Sequence, residues 1–231
     1  MPEENQPVVV SSLRVALIHN NDATRLAHIR PALAGLAAAL AIPVTSTELV
    51  DQPPVAPQSW PLFLRRRLMA WRLQRAWRRY RGQPPLLPFL EWLRLPRDLW
   101  RNANRRQGAI ENILSGKHIT AWRDFLGTAS DCLLVAEDDT VFRADSVAGL
   151  KDALALLDER PTYIDLAGGF TPAQLQVDAL EAGRHGRFRE YLRPVTNTTG
   201  AYLLNRPLAR LLVDLIDRHP DWNGHTADWM I

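Results

Sequence analysis

Apolar positions along the chain fall into short runs separated by polar turns, and their spacing alternates between two periods. Leu13–His19 is apolar almost throughout, as a strand buried on both faces would be. Asn20-Asn21-Asp22 follows as a turn with an N-cap candidate, and Ala23–Leu40 places Leu26, Ile29, Leu33, Leu36 and Leu40 at helical spacing. Pro43–Thr47 reads as a second strand, and Asp51–Pro57 breaks regular structure. Gln107–Leu126 predicts a helix with Ile110, Ile113, Leu114, His118, Ala121, Trp122 and Phe125 largely on one side. A strand beginning at Cys132 comes next, then a helix over Asp145–Leu157, a short strand over Thr162–Leu166 and a turn at Ala167-Gly168-Gly169. Beyond it the pattern predicts helix over Ala173–Gly183, strands over Tyr191–Val195 and Ala201–Leu204, and a helix over Pro207–Arg218 with Pro at an early position. Strands alternating with helices predict an α/β domain with a mostly parallel sheet.

A chain of 231 residues with 46% hydrophobic composition can bury a full core, so one domain over 1–231 with an insertion at about 52–107 is expected. The single cysteine excludes an internal disulfide, and Cys132 within its apolar run is expected to be a small core residue. No apolar stretch reaches membrane-spanning length. The acidic, polar start Met1–Gln6 is unlike a secretory leader and points to a cytoplasmic protein.

The net charge of +3 conceals an uneven distribution. Lys117 and Lys151 are the only lysines, and arginines crowd between Arg65 and Arg106. Pro61–Gly82 reads as a basic amphipathic helix, with Leu62, Met69, Leu73, Ala76, Trp77 and Tyr80 in one stripe, and Leu86–Trp100 is again rich in Leu and Trp. Two readings carry equal weight: the stripe packs on the core, or the 61–106 segment rests on an anionic membrane surface, which would place the protein peripherally on the inner face of the cell membrane. No nucleic-acid-binding motif accompanies the charge.

Chemistry concentrates where the run Cys132–Ala136 ends in Glu137-Asp138-Asp139. In α/β sheets ligands sit beyond the carboxyl ends of strands. Three adjacent acids there either hold a hard divalent ion, Mg²⁺ or Mn²⁺, or form a solvated turn. In an extended segment Glu137 and Asp139 point to one side and Asp138 to the other, so the outer two could share one ion or one ligand. His219, Asp221 and His225 lack zinc-ligand spacing, and neither a nucleophile elbow nor a Walker-type loop is present.

The order Gly116-Lys117-His118-Ile119-Thr120-Ala121-Trp122, then Leu133–Asp139, then Thr198-Thr199-Gly200-Ala201-Tyr202-Leu203-Leu204 before an apolar helix resembles glycosyltransferase family 25, which includes lipopolysaccharide and collagen sugar transferases. The resemblance covers most of residues 13–48 and 108–231. It implies a GT-A-like nucleotide-sugar-binding fold and a metal-assisted, inverting hexosyltransferase, acting from a nucleotide-sugar donor on a glycan or lipid-linked acceptor such as lipopolysaccharide. It implies Asp139 and Glu137 as metal ligands, with His118, Glu137, Asp138, Thr199 and Gly200 around the nucleotide sugar, and Asp228 as catalytic base. Lys117 stands where that family usually has Ser, and the chain ends three residues after Asp228.

Several of these residues also have plainer readings. His118 is either a ligand-side group or a hydrogen-bonded packing residue, and Lys117 either touches phosphate or is solvated. Thr198, Thr199 and Gly200 either approach a ligand or simply enter a strand, and Asp165 either binds a sugar hydroxyl or makes an ordinary turn. Asp228 is either base or helix cap. The alternative function is a non-catalytic member that binds a membrane or a partner protein.

Overall fold

The computed structural model describes residues 10–50, 59–61, 63–65, 102–167, 181–191 and 199–219, with single positions 68, 72, 75 and 79. For 102–108 it describes the backbone alone. The seven strands among these are β1 (Leu13–His19), β2 (Val44–Val50), β3 (Cys132–Glu137), β4 (Tyr163–Asp165), β5 (Glu181–His185), β6 (Phe188–Tyr191) and β7 (Ala201–Asn205). Helices α1 (Ala23–Leu40), α2 (Asn102–Leu126), α3 (Ser146–Leu154) and α4 (Arg206–Arg218) accompany them, and the described positions between 60 and 79 are helical as well.

The central sheet has the order β2-β1-β3-β7-β4. β2, β1 and β3 are parallel, and β7 runs antiparallel to both β3 and β4, so four of the five strands point the same way. The expected α/β class with a mostly parallel sheet is what the chain forms. Alternation along the strands then sorts the core into two layers. Leu13, Val15 and Leu17 of β1 with Cys132, Leu134 and Ala136 of β3 meet the apolar stripe of α1 and Leu150, Ala153 and Leu154 of α3. Ala16, Ile18, Leu133, Val135, Tyr202 and Leu204 face the other way, onto Ile119, Trp122 and Phe125 of α2 and Ala209, Leu212 and Ile216 of α4. Cys132 is fully buried as expected, and burial, with the nearby Asp131 charge adding, pushes its thiol up to about 12.

Local signals fix most boundaries. Asp22 caps α1 by accepting from the backbone N–H of Thr24 (2.9 Å) and Arg25 (3.1 Å). The helix ends on Ala41 in the left-handed region, φ 57°, ψ 24°. An alanine there is strained by about 1 kcal/mol relative to glycine. Ala41→Gly should therefore raise unfolding stability by about 0.5–1 kcal/mol, read as a higher urea midpoint at unchanged slope; an unchanged or lower midpoint would contradict the strain.

Two residues at the β7–α4 junction tie distant loops together. Asn205 caps α4 through Leu208 N–H (3.1 Å), and its amide donates to the carbonyls of Asp158 (2.8 Å) and Arg160 (2.5 Å). The Arg206 guanidinium donates to the carbonyls of Leu126 (3.1 Å), Thr128 (2.6 Å) and Ser130 (2.6 Å), and lies 4.9 Å from the centre of the Phe125 ring.

Several expectations need correcting. The helix expected from Gln107 begins at Asn102, and the one expected over Asp145–Leu157 is confined to Ser146–Leu154. The helix expected over Ala173–Gly183 gives way, over its described residues 181–183, to strand β5, which pairs with β6 as a two-stranded hairpin. Its turn carries Gly186 at φ 59°, and its strands are laced by ion pairs of Glu181 with Arg184 and Arg189, and of His185 with Glu190. The strand expected over Tyr191–Val195 is instead β6, ending at Tyr191, with 192–195 outside the described residues.

Candidate active site

β1 leads out through α1 to β2 on one side, while β3 lies on the other, so the chain order switches between β1 and β3, the place where open α/β sheets bind ligands in a crevice beyond the strand ends. The acidic triplet sits there, because register places Glu137 beside Ile18. β7 runs the other way, so it delivers its entrance, Thr199 and Gly200, to the same end of the sheet.

The triplet does not stay extended. β3 ends at Glu137, and Asp138 and Asp139 form a turn closed by Thr140 N–H to the Glu137 carbonyl at 3.0 Å. The strand alternation expected to put Glu137 and Asp139 on one side therefore stops at the first acid. The Gly200 carbonyl holds this turn, accepting from Glu137 N–H at 2.8 Å and from Thr140 Oγ1 at 2.6 Å. Its backbone, rather than its lack of a side chain, is what the turn uses: a Cβ at 200 would make only ordinary contact with Ala167 at 3.6 Å.

The three acids have different surroundings. Asp138 is buried, with Oδ1 accepting from Arg25 Nη1 at 2.9 Å and Oδ2 from Asn20 N–H at 3.2 Å. It fastens the β1–α1 turn to the end of β3. Asp139 is 61% exposed, and its Oδ2 lies 4.0 Å from Arg25 Nη1. Glu137 follows the strand alternation onto the α2 face. Its Oε1 accepts from Thr199 Oγ1 at 2.9 Å and lies 3.5 Å from His118 Nε2.

Behind Glu137 runs a buried polar chain. Trp122 Nε1 donates to the Tyr202 hydroxyl at 2.9 Å, and that hydroxyl lies 2.9 Å from His118 Nδ1. An indole N–H can only donate, so the Tyr202 proton is best used toward Nδ1, and this assigns the hydrogen of His118 to Nε2, facing Glu137. Burial raises the Tyr202 pKa well above its ordinary value despite the Trp122 bond, and the Glu137 charge adds to the rise, so the hydroxyl keeps its proton.

Lys117, expected on a solvated helix surface, is instead buried, and its Nζ donates to the His19 carbonyl at 2.7 Å. Its ammonium acts on Glu137. Burial works against ionisation of Glu137, but His118, Thr199 and Lys117 together outweigh it and hold the carboxyl below the usual range.

A depressed folded-state pKa means that ionised Glu137 stabilises the fold at pH values above the ordinary glutamate pKa of about 4.3, and that this contribution disappears as pH falls below that value through the folded one. Glu137→Gln should flatten the acid limb of the stability–pH curve. A limb of unchanged steepness would show that other carboxylates govern it.

His19 is the last residue of β1. It is buried, with Nδ1 accepting from Asn21 N–H at 3.1 Å and Nε2 3.3 Å from Glu48 Oε2. Glu48 in turn takes two hydrogen bonds from Arg30, at 2.8 and 2.6 Å. Asn21 reaches back to His19 from the left-handed region, φ 66°, a conformation that asparagine tolerates.

Of the residues expected to share the site, Glu137, Asp138, Asp139, His118, Thr199 and Gly200 converge on this end of the sheet. Asp165 lies on β4, where its Oδ1 accepts from Ala167 N–H at 2.9 Å, the geometry of an ordinary turn. Asp228, together with Thr198, Asp221 and His225, lies outside the described residues. Among the described residues no three His, Cys, Asp or Glu side chains converge as a ligand set for a metal ion. Arg25, Asn20, His19, Trp122 and Tyr202 were not expected here. The signal for Arg25 was its place in the first turn of the helix after β1, next to the β3 end once the two strands are parallel neighbours. No protein-family model matches the chain, and no curated protein matches it either.

Proposed function

We propose that the crevice binds a nucleotide sugar and that the protein transfers the sugar, with inversion, to a glycan or lipid-linked acceptor. The observation that carries this reading is the convergence, at the carboxyl ends of β1 and β3, of two cations, Arg25 and Lys117, with a carboxylate turn and a buried histidine chain. Half-exposed Arg25 offers charge to a diphosphate, buried Lys117 keeps Glu137 ionised from behind, and Glu137, held by Thr199 beside His118, accepts hydrogen bonds from donor hydroxyls.

Of the three acids, Asp139 has the exposed carboxylate that a divalent ion could reach, with Arg25 Nη1 4.0 Å from its Oδ2. Asp138 offers none, because both of its oxygens are occupied by Arg25 and Asn20. Glu137 would join Asp139 only through the part of its carboxylate not held by Thr199. A bound Mn²⁺ or Mg²⁺ would supply charge neutralisation for the diphosphate leaving group.

The test is incubation of the full chain with a panel of nucleotide sugars and Mn²⁺, with and without membrane-glycan acceptors. Donor binding with acceptor-dependent release of nucleoside diphosphate is expected. Binding without release would favour a non-catalytic module, and absence of binding to every donor would overturn the reading.

A further inference from the structure

We infer that the surface formed by Trp60, Leu64 and Leu68 with Arg65, Arg72 and Arg79 docks on an anionic lipid bilayer. The chain is helical at each described position between Trp60 and Arg79. Phe63 is buried at 3% exposure and meets Trp60 edge-on at 6.0 Å, so one side of the segment is anchored in the protein. Trp60, Leu64 and Leu68 recur every four residues and are 40%, 38% and 48% exposed. Projected at about 100° per residue, these three span about 80°, with exposed Arg65, Arg72 and Arg79 along one edge, buried Phe63 along the other beside Trp60, and half-buried Arg75 projecting between Leu64 and Leu68.

This is not the apolar stripe expected from the sequence, whose members Leu62, Met69, Leu73, Ala76, Trp77 and Tyr80 lie outside the described residues. Exposed leucines beside arginines are the opposite of a core-packing face. They match a bilayer boundary, where apolar groups enter the acyl region and guanidinium groups meet the headgroups.

Charge complementarity selects the lipid. Thirteen of the 28 Lys and Arg residues lie between Arg65 and Arg106, against two acids, Glu91 and Asp98. The rest of the chain holds fifteen basic and twenty-three acidic residues, so an anionic surface attracts this segment and repels the remainder. A polyanion such as RNA would use the arginines but gain little from the Trp60-Leu64-Leu68 row.

The inference is independent of what the crevice binds. Flotation of the full chain with phosphatidylcholine vesicles, with and without phosphatidylglycerol, tests it, using Leu64→Ser/Leu68→Ser and Arg72→Gln/Arg79→Gln and a single-stranded RNA competitor. Circular dichroism checks that these exposed-site variants are folded. Partition onto the anionic vesicles alone is expected. It should fall at least about tenfold in the leucine variant and by about thirtyfold in the arginine variant, which should also lose much of its salt sensitivity. No partition onto anionic vesicles, partition of the leucine variant equal to that of the parent, or preferential binding of RNA would each overturn it.

Discussion

Asp139→Ala is expected to lower nucleotide-sugar turnover by about a hundredfold or more while leaving stability within about 0.5 kcal/mol of the parent. Asp138→Ala, one residue away, should do the reverse first: destabilise the fold by about 2 kcal/mol. The difference follows from their surroundings. Asp139 is exposed, so its removal leaves nothing buried without a partner. Asp138 is buried and holds both Arg25 and the Asn20 N–H, and its loss strands that N–H and a guanidinium at the crevice wall. The loss is limited because Arg25 is half exposed and water compensates part of the lost pair. Paired turnover and urea-unfolding measurements check both. Equal turnover in parent and Asp139→Ala would sink the assigned role of that carboxylate, and equal stability in Asp138→Ala would show that the turn does not depend on its bridge.

The larger stability effect belongs to Arg206→Ala, for which a loss of about 3 kcal/mol is expected. Three carbonyls of the α2–β3 loop converge on one guanidinium, and all three lose a charged donor at once. Removing the contact with the Phe125 ring adds to the cost. Arg206→Lys should recover only part of it, because an ammonium lacks the planar fork that spans the three acceptors. Urea unfolding gives the number; a loss under about 1 kcal/mol would mean that water replaces the guanidinium at the loop.

How much of this was legible in the chain depended on whether the signal was local. Leu13–His19 and Ala23–Leu40 were readable to the residue, because an apolar run, an Asp22 cap and a helical stripe all agree there. The β5–β6 hairpin was not. Its strands alternate charge with small or aromatic residues and are held by ion pairs between themselves and from Arg187 to Asp145 and Asp152, so no apolar period announces them. In the site, the acids were visible as a triplet, but their separation into a buried strut, an exposed carboxylate and a histidine-oriented one depends on partners far away in sequence. Arg25 lies 113 residues from Asp138, and Tyr202 lies 84 from His118. Lys117 looked like a surface lysine because what buries it, and the His19 carbonyl that receives it, belong to the tertiary fold.

The reversed direction of β7 has a kinetic consequence. Thr199 and Gly200 reach the acidic turn only when a strand near the end of the described chain slots between β3 and β4, a pairing that closes more than sixty residues between Leu134 and Leu203. Pairings of such long sequence separation slow folding, because loop-closure entropy is lost before the contacts return it. The β1–β3 pairing, from Leu13 to Cys132, closes still more chain, so β1–α1–β2 is the local unit of this sheet and the site is assembled only when both long-range pairings are made.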